Sequence, residues 1–510
     1  MTVPFPRPSE RRLAELGARL GLAVPEAEQA AYADAVHEEL SGYDVLDHVS
    51  TARTATTFEL SDVVRDPGPD RDPHNAYVTA FEAVSPDAGD DLADLRVAVK
   101  DNLAVAGVPM TCGSQALAAA VPAENAAVVD RLLDAGATLT GKTNMDEMAY
   151  GPTSETSGFG PVTNPNDVDR VAGGSSSGSA ATVAAGEVDA ALGSDTGGSV
   201  RIPASFCGVV GFKPTWGVVP RTGFVDLAYT LDHVGPLARD VETTARVFDV
   251  ITGSDPRDPS SAVAESIDVG RTAAALSDVP AVGNLSLGVP EELVADHVSD
   301  GVCDVFEARL DALTSAGADV TTVSIPTLAD AVPVWNAITN AELAAAFDRA
   351  LAPIERRGPF DPQWYDAAAA AIRGNGHLFG DVVRTKAILG AHLLDRYGGR
   401  QYVRARTACD RIRTEFDRAL DGVDALVSPT MPVVAPEVGA WTPHSYDDEN
   451  ALSVPLAVNT RPADLAGVPA ISVPAGTADG LPVGIQFVTG RGEDRRALQV
   501  GHAFERFVDG

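Results

Sequence analysis

The chain has 510 residues, of which 45% are hydrophobic, with 72 acidic against 38 basic side chains and a net charge of −34. That apolar content is enough for a sizeable core, and at about 150 residues per domain the length fits three domains or one large α/β unit with an appendage. So strong an acidic excess argues against a direct nucleic-acid or anionic-membrane surface, which needs clustered lysine and arginine.

Taken in chain order, Leu13, Leu16 and Leu20, then Tyr32, Ala35 and Leu40, recur at helical spacing on either side of Pro25 and predict two short helices. Pro67, Pro69 and Pro73 among charges then predict a linker. A small all-helical N-terminal domain is therefore expected over residues 1–65, a linker over 66–75, and a catalytic body over 76–510.

Arg96 to Val99 reads as a short buried strand that delivers Lys100 at its end. Only four of the 38 basic residues are lysine: Lys100, Lys142, Lys213 and Lys386. Arginine can replace lysine wherever a plain positive charge is enough, but it cannot give up its proton, so a surviving lysine is a candidate base. Asn125 is expected to cap a helix that ends at Gly136. The following Gly136-Ala-Thr-Leu-Thr-Gly141-Lys142-Thr143 matches a phosphate-binding loop, yet the order is reversed. A helix ends at the first glycine and a strand runs into the lysine, where the nucleotide motif needs the opposite.

Gly173-Gly174-Ser175-Ser176-Ser177-Gly178-Ser179 and Asp195-Thr196-Gly197-Gly198-Ser199 flank a small helix and an apolar strand over Val188 to Leu192. Linkers are not embedded in buried strands, so these are not flexible spacers. Gly174 to Gly178 also matches Gly-X-Ser-X-Gly, but the polar Asn166 to Arg170 run before it is a poor strand, and the nucleophile elbow requires one. A serine nucleophile needs a base and donors for an oxyanion. A lysine with a lowered pKa can be the base, and the glycines before Ser199 can turn N–H groups toward one point.

Residues 331–420 are almost wholly helical in pattern, with breaks at Gly374-Asn375-Gly376 and Gly398-Gly399. Strands are expected from Ala425, Ala470 and Val483, and a helix over Arg495 to Phe507 closes the chain. Strands alternating with helices predict an α/β architecture. Cys112, Cys207, Cys303 and Cys409 have neither zinc nor disulfide spacing and are expected to be reduced. The N-terminus has no apolar signal core and no run of 18 apolar residues occurs, so a soluble, cytoplasmic protein is expected. Scarce lysine with scattered acids suggests a protein that works in concentrated salt, where charge is screened within about 3 Å at 1 M.

Val99-Lys100-Asp101-Asn102, Gly141 to Glu147, Gly173 to Ser179, Leu192 to Arg201, Phe206 to Thr215, Asp232 to Leu237 and Gly480 to Gln486 together resemble the amidase signature family, over roughly residues 76–510. That resemblance implies a mixed β-sheet core covered by helices and a Ser–cisSer–Lys triad. Ser199 follows Ser175 by 24 residues and Lys100 precedes it by 75, which is the family's spacing. By resemblance Lys100 is the base, Ser175 the relay with a cis peptide, and Ser199 the nucleophile, while the N–H groups of Thr196, Gly197, Gly198 and Ser199 form the oxyanion hole. Ser177 replaces a more usual glycine. The implied reaction cleaves a carboxylic acid amide to acid and ammonia with no metal or cofactor.

Within the family, Leu192 to Ser199 and Asp255-Pro-Arg-Asp258 are similar to the glutaminase component of the tRNA-dependent amidotransferase. The helical N-terminal domain with Gly42 to Val45, Gly107 to Thr111 and Asn459 to Gly467 resemble stand-alone amidases of nitrile degradation, which is the favoured expectation. An inactive amidase-like scaffold is the non-enzymatic alternative. Expected partners are a small-molecule amide and a second copy of the chain, with no nucleic acid and no membrane.

Overall fold

A computed structural model describes residues 5–48, 57–354, 356, 361–440 and 456–509. It divides into two compact units, Met1–Thr54 and Ala55–Gly510. The first holds helices over Glu10–Arg19 and Gln29–Ser41. Ser9 caps the earlier one by accepting from the Arg12 N–H at 3.2 Å. A short 3₁₀ turn, Glu26–Glu28, starts directly after Pro25 and leads into the later one.

The second unit is built on a mixed sheet of twelve strands. Among the described residues the strands are β1 (Glu59–Arg65), β2 (Tyr77–Val84), β3 (Arg96–Lys100), β4 (Thr138–Thr143), β5 (Thr163–Asn164), β6 (Asp167–Val171) and β7 (Ala190–Asp195). They continue as β8 (Val210–Lys213), β9 (His233–Ala238), β10 (Ser286–Pro290), β11 (Asp319–Val323), β12 (Ala425–Pro429), β13 (Ala470–Ala478) and β14 (Leu481–Val488). The large sheet runs β1-β2-β4-β3-β7-β9-β8-β13-β14-β12-β10-β11, and β5 with β6 forms a separate ribbon. β3 lies parallel to both β4 and β7, whereas β9 is antiparallel to β7. Val97, Ala98 and Val99 are wholly buried. A parallel strand covered on both faces reads as a continuous apolar run, and this one carries Lys100 into the interior.

Three sequence expectations change here. Residues 59–65 are not part of the helical domain: they form β1, antiparallel to β2. All but one of its residues are exposed, so this edge strand has no apolar alternation to announce it. The expected linker 66–75 is the connection from β1 to β2. It is pinned by Asp72, whose carboxylate accepts from Ala76 N (2.8 Å) and Tyr77 N (2.7 Å). Residues 1–4 and 49–56 of the expected domain lie outside the described residues. Asn125, in turn, is not the cap of the helix Ala127–Asp134, because its side chain accepts from Ala106 N and donates to Asp130.

The 331–420 stretch contains helices Ala331–Asp348, Pro362–Asn375, Asp381–Tyr397 and Arg400–Ala419. Gly398 and Gly399 break the last two apart at φ of 58° and 72°. The first packs on the third so closely that a side chain on Gly390 would stand 1.8 Å from the Asn340 carbonyl oxygen. Among the described residues the four cysteines are free, and no helix is long and apolar enough to cross a membrane.

Candidate active site

Lys100 ends β3 with its side chain fully buried. Its Nζ lies 2.8 Å from Ser175 Oγ and 2.9 Å from both Ser176 Oγ and Ser194 Oγ. Among the described residues no carboxylate pairs with it. Burial therefore dominates and brings its pKa down to about 7, against the weaker pull of Asp146, Asp195 and Asp232. The other lysine near this strand behaves differently. Lys142, in β4, reaches Asp101 at 2.9 Å, and Asp101 also accepts from Thr111 N at 3.0 Å. No helix opens at Lys142, so the phosphate-loop geometry is absent there.

Ser175 follows Gly174 through a cis peptide bond and precedes the helix Ser177–Ala184. Gly174 has no room for a side chain, since a Cβ would stand 1.8 Å from Asp146 Oδ2. That carboxylate holds the neighbouring loop through Ser154 N and Thr156 N, each at 3.0 Å. Ser177, the departure from the usual glycine, donates to the Asn144 carbonyl oxygen at 3.3 Å and so fits in place. The strand before this loop does exist as β6, contrary to expectation, but only in the small ribbon. Ser176, the central serine of Gly-X-Ser-X-Gly, is fully buried and donates to the Ser194 carbonyl oxygen, so it is not an exposed elbow.

β7 delivers Ser194 and Asp195, after which Thr196 to Ser199 form a tight loop ahead of the helix Arg201–Cys207. The Ser176 N–H donates to the Ser199 carbonyl oxygen at 3.2 Å, which ties the two serine segments together. Ser199 is 8% exposed while Lys100 and Ser175 are at zero, so of the three it is the one a substrate can meet.

The loop is anchored from beneath. Asp195 accepts from Val200 N and from Arg201 Nε (3.0 Å), and Arg201 also reaches Asp464 at 2.8 Å. Burial pushes the Asp195 carboxyl up, yet the Arg201 guanidinium outweighs it and holds the group well below the usual range. His233 meets the Asp195 carbonyl oxygen at 3.1 Å and Lys213 Nζ at 3.2 Å, and burial drives its pKa far down. From above, Trp335 donates its indole N–H to the Thr196 carbonyl oxygen at 2.8 Å, and Thr460 Oγ donates to that of Gly197 at 2.7 Å. Thr196 Oγ donates to Asp232 at 2.6 Å.

While the Thr196, Gly197 and Ser199 carbonyl oxygens accept from Trp335, Thr460 and Ser176, the N–H groups of Thr196, Gly197 and Ser199 donate to no described residue. Gly198 differs from its expected role. Its N–H donates to Asp195 Oδ1 at 2.5 Å and is committed there.

Sequence reasoning did not find Ser176, Ser194, Trp335, Thr460 or the Asp195–Arg201–Asp464 cluster. Ser194 and Asp195 lay inside a motif already quoted, but nothing in the chain signals that Trp335 and Thr460 converge on it.

Residues 76–498 match the sequence profile of the family described as Amidase. The chain is 45% identical to the A component of glutamyl-tRNA(Gln) amidotransferase from Haloarcula marismortui, over 84% of this chain and 99% of that protein. It is 46% identical to the protein of the same name from Natronomonas pharaonis, over 81% and 96%. Among solved structures it is similar to the Thermotoga maritima protein of that name, with TM-score 0.69 and 35% identity over 85% of this chain and 88% of that one. It is likewise similar to native peptide amidase from Stenotrophomonas maltophilia, with TM-score 0.67 and 30% identity over 82% and 83%.

These relatives correct the expected partners. A homodimer without nucleic acid does not agree with relatives named as one component of an enzyme of glutamyl-tRNA(Gln). The charge argument failed because net charge reports how a surface meets phosphate, not which assembly a chain joins. The mixed sheet, the helices that cover it and the match over residues 76–498 place this chain in the amidase family, whose α/β fold and cleavage of amide C–N bonds it shares.

Proposed function

We propose that the chain is the amide-hydrolysing, ammonia-releasing component of an amidotransferase, with glutamine as the amide donor and glutamyl-tRNA as the acceptor's carrier. Identity of 45–46% over nearly the whole length of the two haloarchaeal amidotransferase proteins supports this reading. The single observation that carries the chemistry is the Lys100 amine, buried without a carboxylate partner among the described residues and 2.8 Å from Ser175 Oγ.

In this reading Ser199 Oγ attacks the amide carbonyl while its proton passes through Ser175 Oγ to neutral Lys100. The N–H groups of Thr196, Gly197 and Ser199 hold the developing oxyanion, and donors fixed before the reaction need no reorganisation when charge appears. Lys100 then returns the proton through Ser175 to the departing nitrogen, and ammonia leaves. Water attacks the Ser199 ester by the same relay and frees the acid. The acidic surface fits work in molar salt, where repulsion among like charges is screened.

A stand-alone amidase is the second reading. The helical unit Met1–Thr54 favours it, because that unit precedes the family match, which begins at residue 76. Ammonia release from glutamine, with and without co-purified partner proteins, is to be compared with release from aliphatic and aromatic amides in molar salt. Glutamine turnover that depends on partner proteins supports the first reading. Turnover of simple amides by the isolated chain, with none of glutamine in either state, overturns it in favour of the second.

A further inference from the structure

One partly buried guanidinium beside the Ser199 loop meets no anion among the described residues. Those of Arg201, Arg221 and Arg356 each meet a carboxylate: Asp195 and Asp464 for the first, Asp226 for the other two. Arg461 follows Thr460, the residue that holds the Gly197 carbonyl, and its guanidinium carbon lies 4.3 Å from the centre of the Trp335 ring. Among the described residues it makes no ion pair, and its Nε is enclosed without a hydrogen-bond partner. Asp464, one turn further on, is bound to Arg201 at 2.8 Å. This happens in a chain where acids outnumber bases by nearly two to one.

The setting is built around the reaction centre. Trp335 touches the loop through Thr196 and stacks edge-on with Tyr150 at 5.7 Å. Tyr150 carries Lys386 Nζ over its ring at 5.8 Å, and its hydroxyl donates to Asn340 at 2.7 Å. Two cations thus stand over the rings of an aromatic pair that is hydrogen-bonded to the oxyanion loop. Stacking on tryptophan orients a guanidinium and leaves its fork of N–H donors free. A cation withdrawn from water is costly until an anion meets it, and a carboxylate matches that fork in two parallel hydrogen bonds.

We infer that Arg461 is the specificity residue of this site and binds a carboxylate on the acyl part of the substrate, so that the enzyme takes primary amides of dicarboxylic-acid type. This rests on Ser199 being the nucleophile and narrows the substrate class of that same site.

The test uses the full chain with any proteins that co-purify, in molar salt, and compares succinamate with butyramide, the uncharged analogue that lacks the two carboxylate oxygens. We expect wild type to favour succinamate by about tenfold or more in kcat/KM, and Arg461→Gln to lower that ratio by about ten- to a hundredfold. Arg461→Lys should keep part of it. Equal use of the two amides by wild type, or a ratio that Arg461→Gln leaves unchanged, overturns the inference. If Arg461→Gln does not fold, wild-type inhibition decides: succinate must inhibit at least about tenfold more tightly than butyrate, and equal inhibition overturns the inference. Succinamate preference without glutamine turnover removes the amidotransferase reading alone. Glutamine turnover with a ratio blind to Arg461 removes the Arg461 assignment alone.

Discussion

Thr460 occupies the space that any side chain on Gly198 would need: a Cβ there would stand 2.2 Å from Thr460 Oγ. The same hydroxyl holds the Gly197 carbonyl oxygen, and Gly198 itself sits at φ 126°, where only glycine is comfortable. Gly198→Ala must therefore displace the loop that carries the free N–H groups. Its kcat should fall by about a hundredfold, the scale on which loss of an oxyanion donor acts, with a smaller change in KM. Steady-state kinetics on one amide check this.

In the proposed mechanism the buried Lys100 amine sets the pH dependence. With its pKa brought down to about 7 by burial, the neutral form that accepts a proton predominates above that pH. The profile of kcat/KM should rise about tenfold per pH unit below pH 7 and level off above it. Lys100→Arg keeps the charge and cannot release the proton, so it should be inactive across the whole range. A rate that is flat from pH 5 to pH 9 would contradict the role of the amine.

Ser194 accepts from Lys100 at 2.9 Å and from Asn102 at 3.1 Å, and so helps to stabilise the ammonium form. Ser194→Ala removes that acceptor. The pKa of Lys100 should fall and the acid limb of the profile should move to lower pH, while kcat drops by about tenfold as the amine loses its alignment. A merely structural loss would lower kcat and leave the limb in place.

Beneath the loop, Asp195 and Arg201 form a buried pair with Asp464. Asp195→Asn leaves Arg201 with one carboxylate, and breaking such a pair costs about 3–5 kcal/mol. The sign with pH follows from the depressed carboxyl. Its contribution is complete above the unfolded value of 3.8 and is lost as pH falls below it. Thermal melts in molar salt should show a lower Tm for Asp195→Asn at neutral pH and a gap to wild type that narrows in acid.

How much of this was legible in the sequence depends on the range of the signal. Lys100, Ser175 and Ser199 stand out as candidates because two local motifs and one rare residue type mark them, and the strand β3 is legible because Val97, Ala98 and Val99 form an unbroken apolar run. β1 was not, since an exposed edge strand lacks that run. Gly198 was assigned an oxyanion role from its motif alone. Its N–H is turned by Asp195, three residues back, and a loop's hydrogen bonds cannot be read from glycine content. Trp335 and Thr460 come from segments more than a hundred residues downstream, and only the folded sheet and the helix Ala331–Asp348 bring them to the loop.

The most direct measurement is intact-mass spectrometry, with peptide mapping, of the folded chain treated with a fluorophosphonate in molar salt. The expected result is one adduct per chain on Ser199, absent in Ser199→Ala and much slower to form in Lys100→Arg. An adduct on Ser175 or Ser176, or no adduct in folded protein, would contradict Ser199 as the nucleophile.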